Sequence, residues 1–387
     1  MRTRRLGLTA ALTVGPIAAW RFAQAYKARA GYPHRHAPTD DPSTLGLRFE
    51  DVRVPSAGVE LPGWWIPARV GTDGAAAAVP GPAVLLIHGW ESARDRTLPN
   101  ALILHALGIH ALTIDVRGHG LNPAEELPLT AGEFGEDALA GIRWLLDRPD
   151  VTKVGVLGHS MGGIGALLAA AAEPRVAAVV AASAPADPYR LTRQTFRLAR
   201  LPFPGPIAWP LAWLTTHVFL QPRGHTVRDV SAARAIERYR GPVLLIQGDH
   251  DRVVPVSHLA TLERAARKAR EGQTGTGSGE VEVLVIPGGE HSWLYEFSAY
   301  RGAIGRFLAH HLGPLDPYEA ERIARAVPAT RLPQREHPFS AIEPEQGGVS
   351  LLVRAIKAAG DNRIDRADDA AAVSPAPAAS PASAKGG

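Results

Sequence analysis

Ser160, His291 and Asp251 are the residues of this chain whose types, neighbours and order support nucleophilic catalysis. A serine hydroxyl is a weak nucleophile at neutral pH. It needs a base to take its proton and an acid to orient that base. Ser160 stands in Gly158-His159-Ser160-Met161-Gly162, directly after the apolar run Val154–Leu157 and directly before an Ala-rich helical pattern. That context predicts a serine on a tight strand-to-helix turn, flanked by small residues where strand and helix nearly touch. A helix N-terminus beneath it favours developing negative charge. Asp251 lies in Gln247-Gly248-Asp249-His250-Asp251, beyond the run Val243–Ile246. His291 lies in Gly288-Gly289-Glu290-His291, beyond the run Val281–Ile286. Asp249 competes with Asp251, although a short acid in that position also fixes a turn through its own backbone. His250 and His88 compete with His291, but neither follows the last run. An oxyanion would need two N–H donors, and the backbone groups of Met161 and of Trp90, in His88-Gly89-Trp90, are the candidates.

These residues need elements that bring them together. Short apolar runs at Val84–Ile87, Ala111–Ile114, Val154–Leu157, Val176–Ala182, Val243–Ile246 and Val281–Ile286 read as buried strands. Helical patterns lie between them at Thr97–Leu107, Ala131–Leu146, Met161–Ala172 and Ser257–Arg270, with a last one at Trp293–Leu312. Apolar strands alternating with helices imply an α/β fold, a mostly parallel central sheet with helices on both faces. Leu47–Pro55 and Val59–Pro67 alternate and read as an antiparallel pair in front of it. Ligands of such a sheet bind beyond the carboxyl ends of the strands, where all the candidate residues fall. Residues 186–240 show no strand pattern and hold Phe196, Phe203, Trp209, Trp213 and Phe219, which reads as a helical cap insertion. The loops at 71–81 and 271–279 are rich in small residues.

Composition excludes several classes. The 387 residues carry 42 basic and 38 acidic side chains, a balance unlike the basic stripes of a dedicated nucleic-acid binder. With no cysteine there is no disulfide, thiolate zinc site or cysteine nucleophile. No G-x-x-x-x-G-K-[ST], G-x-G-x-x-G or H-E-x-x-H pattern occurs, so neither a cofactor nor a metal is expected.

The order Ile87-His88-Gly89, Asp115-Val116-Arg117-Gly118-His119-Gly120, Gly158-His159-Ser160-Met161-Gly162-Gly163, Gly248-Asp249-His250-Asp251 and Gly289-Glu290-His291 resembles the signatures of the α/β-hydrolase superfamily, in particular the bacterial esterase, lipase and serine aminopeptidase-like group. The resemblance covers 47–312. It implies Ser160 as nucleophile, Asp251 as acid and His291 as base, with Asp251 in the place where that family keeps its acid. It gives His88 and the 115–120 loop structural roles, with Arg117 bracing the site. The activity implied is serine ester hydrolysis, and the aromatic, proline-rich cap suggests a small-molecule substrate with an apolar acyl or alcohol group. An aminopeptidase, thioesterase or acyltransferase on the same scaffold is the alternative, and a non-catalytic binding module a more distant one.

The cap and both ends lie outside the resemblance. Arg2, Arg4 and Arg5 precede an uncharged run, Leu6–Trp20, so residues 1–25 read as a membrane segment, or as an export signal that is cleaved. Membrane association is the expectation, with export or a cytoplasmic location as alternatives. Residues 26–46 read as a linker and 313–387 as an irregular, largely disordered tail, Ala/Pro/Ser-rich from about 368.

Overall fold

The computed structural model of the chain describes residues 37–68, 79–123, 128–198, 205–271, 279–313 and 315–330, with a few single positions before 37 and no side chains for 195–208. Eight strands form one sheet: β1 (Glu50–Ser56), β2 (Val59–Ile66), β3 (Gly81–Ile87), β4 (His110–Ile114), β5 (Val151–His159), β6 (Val176–Ala182), β7 (Val243–Gly248) and β8 (Val281–Ile286). Their spatial order is β1-β2-β4-β3-β5-β6-β7-β8. β1 pairs with β2, and β2 with β4, antiparallel; every other pairing is parallel. The hairpin at the front is thus part of the same sheet.

Alternation along each strand builds two cores. Leu85 and Ile87 of β3 enter one face with Val156, Val179 and Leu245. Val84 and Leu86 enter the other with Leu157, Val180, Leu244 and Ile246. This is the period-two consequence of the pleat in a sheet covered on both sides. The first face is covered by α2 (Ala131–Leu146), α3 (Met161–Ala172), α6 (Ala232–Arg238) and α7 (Ser257–Arg270), which contribute Phe134, Ile164, Ile236 and Leu262. The second is covered by α1 (Leu98–Ala106), α8 (Ser298–Leu312) and α9 (Pro317–Ala326), through Leu104, Phe307 and Ala320. β3 has β4 on one side and β5 on the other. The chain therefore reverses direction of travel across the sheet there, and a crevice opens at the carboxyl ends of β3 and β5.

Three sequence expectations are corrected. Residues from 313 are not irregular throughout, because α9 is a capped helix: Asp316 accepts from the Tyr318 and Glu319 amides, and Ala320 and Ala324 are buried against the second core. The last long helix begins at Ser298 rather than Trp293, because Trp293 takes φ +70° and opens a separate 3₁₀ turn, Leu294–Glu296. The cap is shorter than 186–240, because α6 supplies Ala232, Ala235 and Ile236 to the first core. What stands off the sheet is α4 (Pro188–Leu198), α5 (Gly205–Leu214) and a π-helical turn at Thr215–Phe219. Most of 1–25, the small-residue stretches at 69–78 and 272–278, and 331–387 lie outside the described residues. Among the described residues no helix is long and apolar enough to cross a membrane.

Buried ion pairs stitch the loops at the carboxyl edge. Asp115, after β4, is fully buried and accepts from the Arg94 amide at 2.8 Å, from Arg94 Nη1 at 2.7 Å and from the Leu121 amide at 3.0 Å. Asp137 of α2 accepts from the Arg117 amide at 2.8 Å, from Arg117 Nη2 at 2.6 Å and from Ser56 Oγ at 2.7 Å. Arg117 thus braces the β4 loop against α2 and β1. Asp115→Ala would leave the Arg94 guanidinium buried without its counter-charge, so it should lower the unfolding free energy by about 3–5 kcal/mol in a urea titration.

Candidate active site

Ser160 occupies the turn between β5 and α3 with φ +55° and ψ −119°, a strained backbone for a residue with a side chain. Its amide donates to Ala182 O at 2.9 Å, and its carbonyl accepts from the Gly163 and Ile164 amides. Two glycines make the reversal possible. A Cβ on Gly158 would collide with the Gly162 carbonyl, and one on Gly162 would collide with the carbonyls of Ile87 and His88. The elbow is therefore pressed against the end of β3 as well as against itself.

His291, on the loop after β8, lies with Nε2 3.0 Å from Ser160 Oγ and Nδ1 2.8 Å from Asp251 Oδ2. The three sequence-derived residues are thus brought together from loops 131 and 40 residues apart. The Asp251 carboxylate is buried and fully engaged. Besides His291 it accepts from Gln247 Nε2 at 2.6 Å and from the Val253 and Val254 amides at 2.8 Å each. Asp249 does not reach His291. It accepts from the Gly288 amide at 2.7 Å, so it ties its turn to the His291 loop, where a contact to its own backbone was expected.

His88 sits where a loop-structuring residue should. Its Nε2 accepts from the Val116 amide at 3.2 Å, Nδ1 lies 2.8 Å from Gly89 O, and burial holds its pKa below the usual value. His250 is exposed at the cavity mouth. Trp90 and Met161 both line the cavity beside Ser160. Gly89 approaches so closely that a Cβ there would stand 3.2 Å from Ser160 Cβ, so the loop that carries Trp90 is packed directly against the serine.

Two residues with a part in this arrangement have no role assigned by the sequence reading. His159 donates from Nε2 to the His291 carbonyl at 2.6 Å, so the residue before the serine holds the loop that carries His291. Burial, with His291 nearby, lowers its pKa to about 3. Gln247 reaches both Asp251 and, at 3.0 Å, the Val254 carbonyl. Its signal was present: a long polar side chain closing an otherwise apolar strand run.

A cavity of about 740 Å³ opens over Ser160 and His291. Its wall on the cap side is largely aliphatic, made by Leu191, Leu220, Pro222, Val227 and Val230, with Thr192 and Thr216 among them. Of the cap aromatics, Trp209 and Trp213 lie neither in the core nor in the cavity wall. Trp209 and Trp213 are 51% and 50% exposed and stand apart from the cavity lining. Phe219 is buried, while Phe203 and the Phe196 side chain fall outside the described residues. Among the described residues one cluster, Glu280, His310 and His311, has metal-ligand spacing; it shares no residue with the cavity lining.

Residues 84–303 match the profile of the alpha/beta hydrolase family. An uncharacterised protein of Mycobacterium tuberculosis is 27% identical over 313 residues, covering 79% of this chain and 96% of that one. Among solved structures, an esterase of Pyrococcus furiosus superposes with TM-score 0.56 at 22% identity, over 74% of this chain and 99% of its own. A puromycin-hydrolysing peptidase of M. tuberculosis does so with TM-score 0.52 at 18% identity, over 70% of this chain and 40% of its own.

With a pKa of about 3, His159 stays neutral at neutral and mildly acidic pH, well below the usual value of 6.5. Its imidazole nitrogen resonances, followed by NMR on selectively labelled protein, should show no titration step near pH 6.5, and a step there would overturn the assignment of a buried neutral ring.

Proposed function

Since the chain belongs to the alpha/beta hydrolase family, we propose that it is a serine hydrolase that cleaves carboxylic esters through a covalent acyl-enzyme. One observation carries the reading: His291 stands within hydrogen-bond reach of both Ser160 Oγ and the buried Asp251 carboxylate, on the floor of an open cavity. The aliphatic wall on the cap side supports a substrate with an apolar group. The solved structure of an esterase with the same fold is consistent with it.

In the first half-reaction Ser160 Oγ attacks the ester carbonyl carbon while its proton passes to His291 Nε2. Asp251 accepts from Nδ1–H, fixes the tautomer and stabilises the imidazolium. The carbonyl oxygen, now an anion, takes hydrogen bonds from the Trp90 and Met161 amides, each such donor being worth about 10²–10³ in turnover. The tetrahedral intermediate collapses, the C–O bond to the alcohol breaks, and the leaving oxygen takes the proton from His291. In the second half, His291 removes a proton from water, which attacks the acyl carbon. Collapse releases the carboxylic acid and returns the proton to Ser160. A fluorophosphonate should attach to Ser160 and to no other residue, read by peptide mass spectrometry. Asp251→Asn should reduce turnover by about 10⁴, and Asp249→Asn should have a much smaller effect. Label on a different residue, or a larger loss from Asp249→Asn, would overturn the assignment.

We also propose that residues 1–25 hold the protein at a membrane, on the strength of the uncharged run between two groups of basic residues. In cell fractionation the full chain should sediment with membranes and a version lacking residues 1–30 should not. Equal partition of the two rules the tether out.

A further inference from the structure

The cavity has a second kind of wall. Away from the aliphatic cap side it is lined by Arg96, Asn100, Trp293, Tyr295 and Tyr300. Arg96 lies in the 3₁₀ turn Arg94–Thr97, which runs straight into α1. Four residues apart on one helical path, Arg96 and Asn100 share a face. The Arg96 guanidinium stacks over the Trp293 ring, 3.8 Å from its centroid. Trp293 can present that ring because it takes the left-handed backbone at φ +70°, two residues after His291. Asn100 Oδ1 accepts from Tyr300 Oη at 3.2 Å, which directs the Nδ2 amide elsewhere.

A guanidinium drawn partly out of water is costly unless it is paired, and Arg96 is half-buried. Arg94, two residues earlier, has Asp115 as its partner at 2.7 Å. For Arg96 no carboxylate lies within ion-pair distance among the described residues. The neighbouring Asp95 accepts from the Thr39 amide and hydroxyl. Burial lowers the Arg96 pKa from its usual value, although Tyr295 and the neighbouring Asp95 act against that shift. The two carboxylates that line the cavity, Glu91 and Glu290, are on the loops after β3 and β8, and Glu290 is exposed.

We propose that Arg96 and the Asn100 amide form an anion-binding subsite of the substrate cavity, and that the substrate is an ester which also carries a carboxylate. The inference rests on the ester-hydrolase reading and adds the substrate class. The planar fork of Arg96 suits a carboxylate, with the aromatic face behind it fixing its plane. One cation and one amide match a single negative charge better than a doubly charged phosphate. The substrate would then lie with its ester at Ser160, its charged end on Arg96 and its apolar part against Leu191, Val227 and Val230.

The test uses the full chain. Turnover of p-nitrophenyl acetate, which has no anionic group, checks the ester reading alone. Failure there with folded protein counts against that reading and leaves the subsite to be judged by binding. Calorimetry on Ser160→Ala then compares monomethyl adipate and monomethyl suberate with the corresponding dimethyl esters. The half-esters should bind about ten- to a hundredfold more tightly than the diesters. Raised salt should narrow the difference only modestly, since a desolvated pair is poorly screened. Arg96→Gln should abolish the preference and Arg96→Lys should retain part of it. Arg252 also lines the cavity but is exposed, so Arg252→Gln should leave the preference intact. Equal binding of half-ester and diester overturns the proposal. So does a preference that survives Arg96→Gln, or one that Arg252→Gln removes. The Arg252 variant and the charge comparison on the unsubstituted cavity remain decisive if Arg96→Gln does not fold.

Discussion

At Ser160 the chain must reverse from β5 into α3 within one residue, and the carboxyl edge of the sheet is arranged around that reversal. A positive φ on a serine costs on the order of 1–3 kcal/mol and survives only when its surroundings over-determine it. Here they do. The Ser160 amide is tied to β6 through Ala182 O, its carbonyl caps the first turn of α3, and Gly158 and Gly162 leave no room for any other path. The reward for that strain is position: the hydroxyl stands clear of the backbone at the head of a helix and in front of the β3 loop.

The other loops are held by polar contacts that the apolar core cannot provide. A core sets distances between helices and sheet, but it has no means of aiming a side chain on a loop. The Arg94–Asp115 and Arg117–Asp137 pairs fix the loops after β3 and β4. Asp249 joins the β7 and β8 loops, Gln247 holds Asp251, and His159 holds the His291 backbone. Each is a directional bond from one loop to another, and together they fix the relative placement of Ser160, Asp251 and His291. Two of the contributors, Asp115 and Asp137, are wholly buried, so their worth depends on every partner being present.

The cap is fastened to this frame by the same logic. His258, at the start of α7, accepts from the Ala186 amide at 2.9 Å through Nδ1 and pairs through Nε2 with Gln194 of α4. Arg190 of α4 donates to Thr261 at 2.7 Å. The cap's aliphatic side chains therefore hang over Ser160 from anchored positions, while Trp209 and Trp213 face outward. The cavity below joins an apolar wall from the segment after β6 to a second wall in which Arg96 and Asn100, from before the serine, meet Trp293, Tyr295 and Tyr300 from the segment after β8.

The strand runs, the helices at 131–146, 161–172 and 257–270, and the candidates Ser160, Asp251 and His291 that meet at the sheet edge were legible in the sequence, because each depends on local pattern. Buried parallel strands must be apolar throughout, a serine elbow needs glycines at fixed offsets, and loops after strands must all emerge on one edge of the sheet. The 317–326 helix and the true extent of the cap were not legible. Short helices such as α6 and α9 are decided by what they pack against, and burial of Ala235 or Ala324 leaves little trace in a sequence rich in alanine. Nor could spacing reveal that His159 serves the His291 loop, that Asp249 serves the turn at Gly288, or that Arg96 stacks on Trp293 without a carboxylate. Those contacts join residues 132, 39 and 197 positions apart. The sequence by itself determined which chemical groups are present and on which edge they emerge. Only the tertiary structure decided which of them meet, because a hydrogen bond or an ion pair depends on ångström-scale distance between loops, and local sequence pattern does not encode that distance.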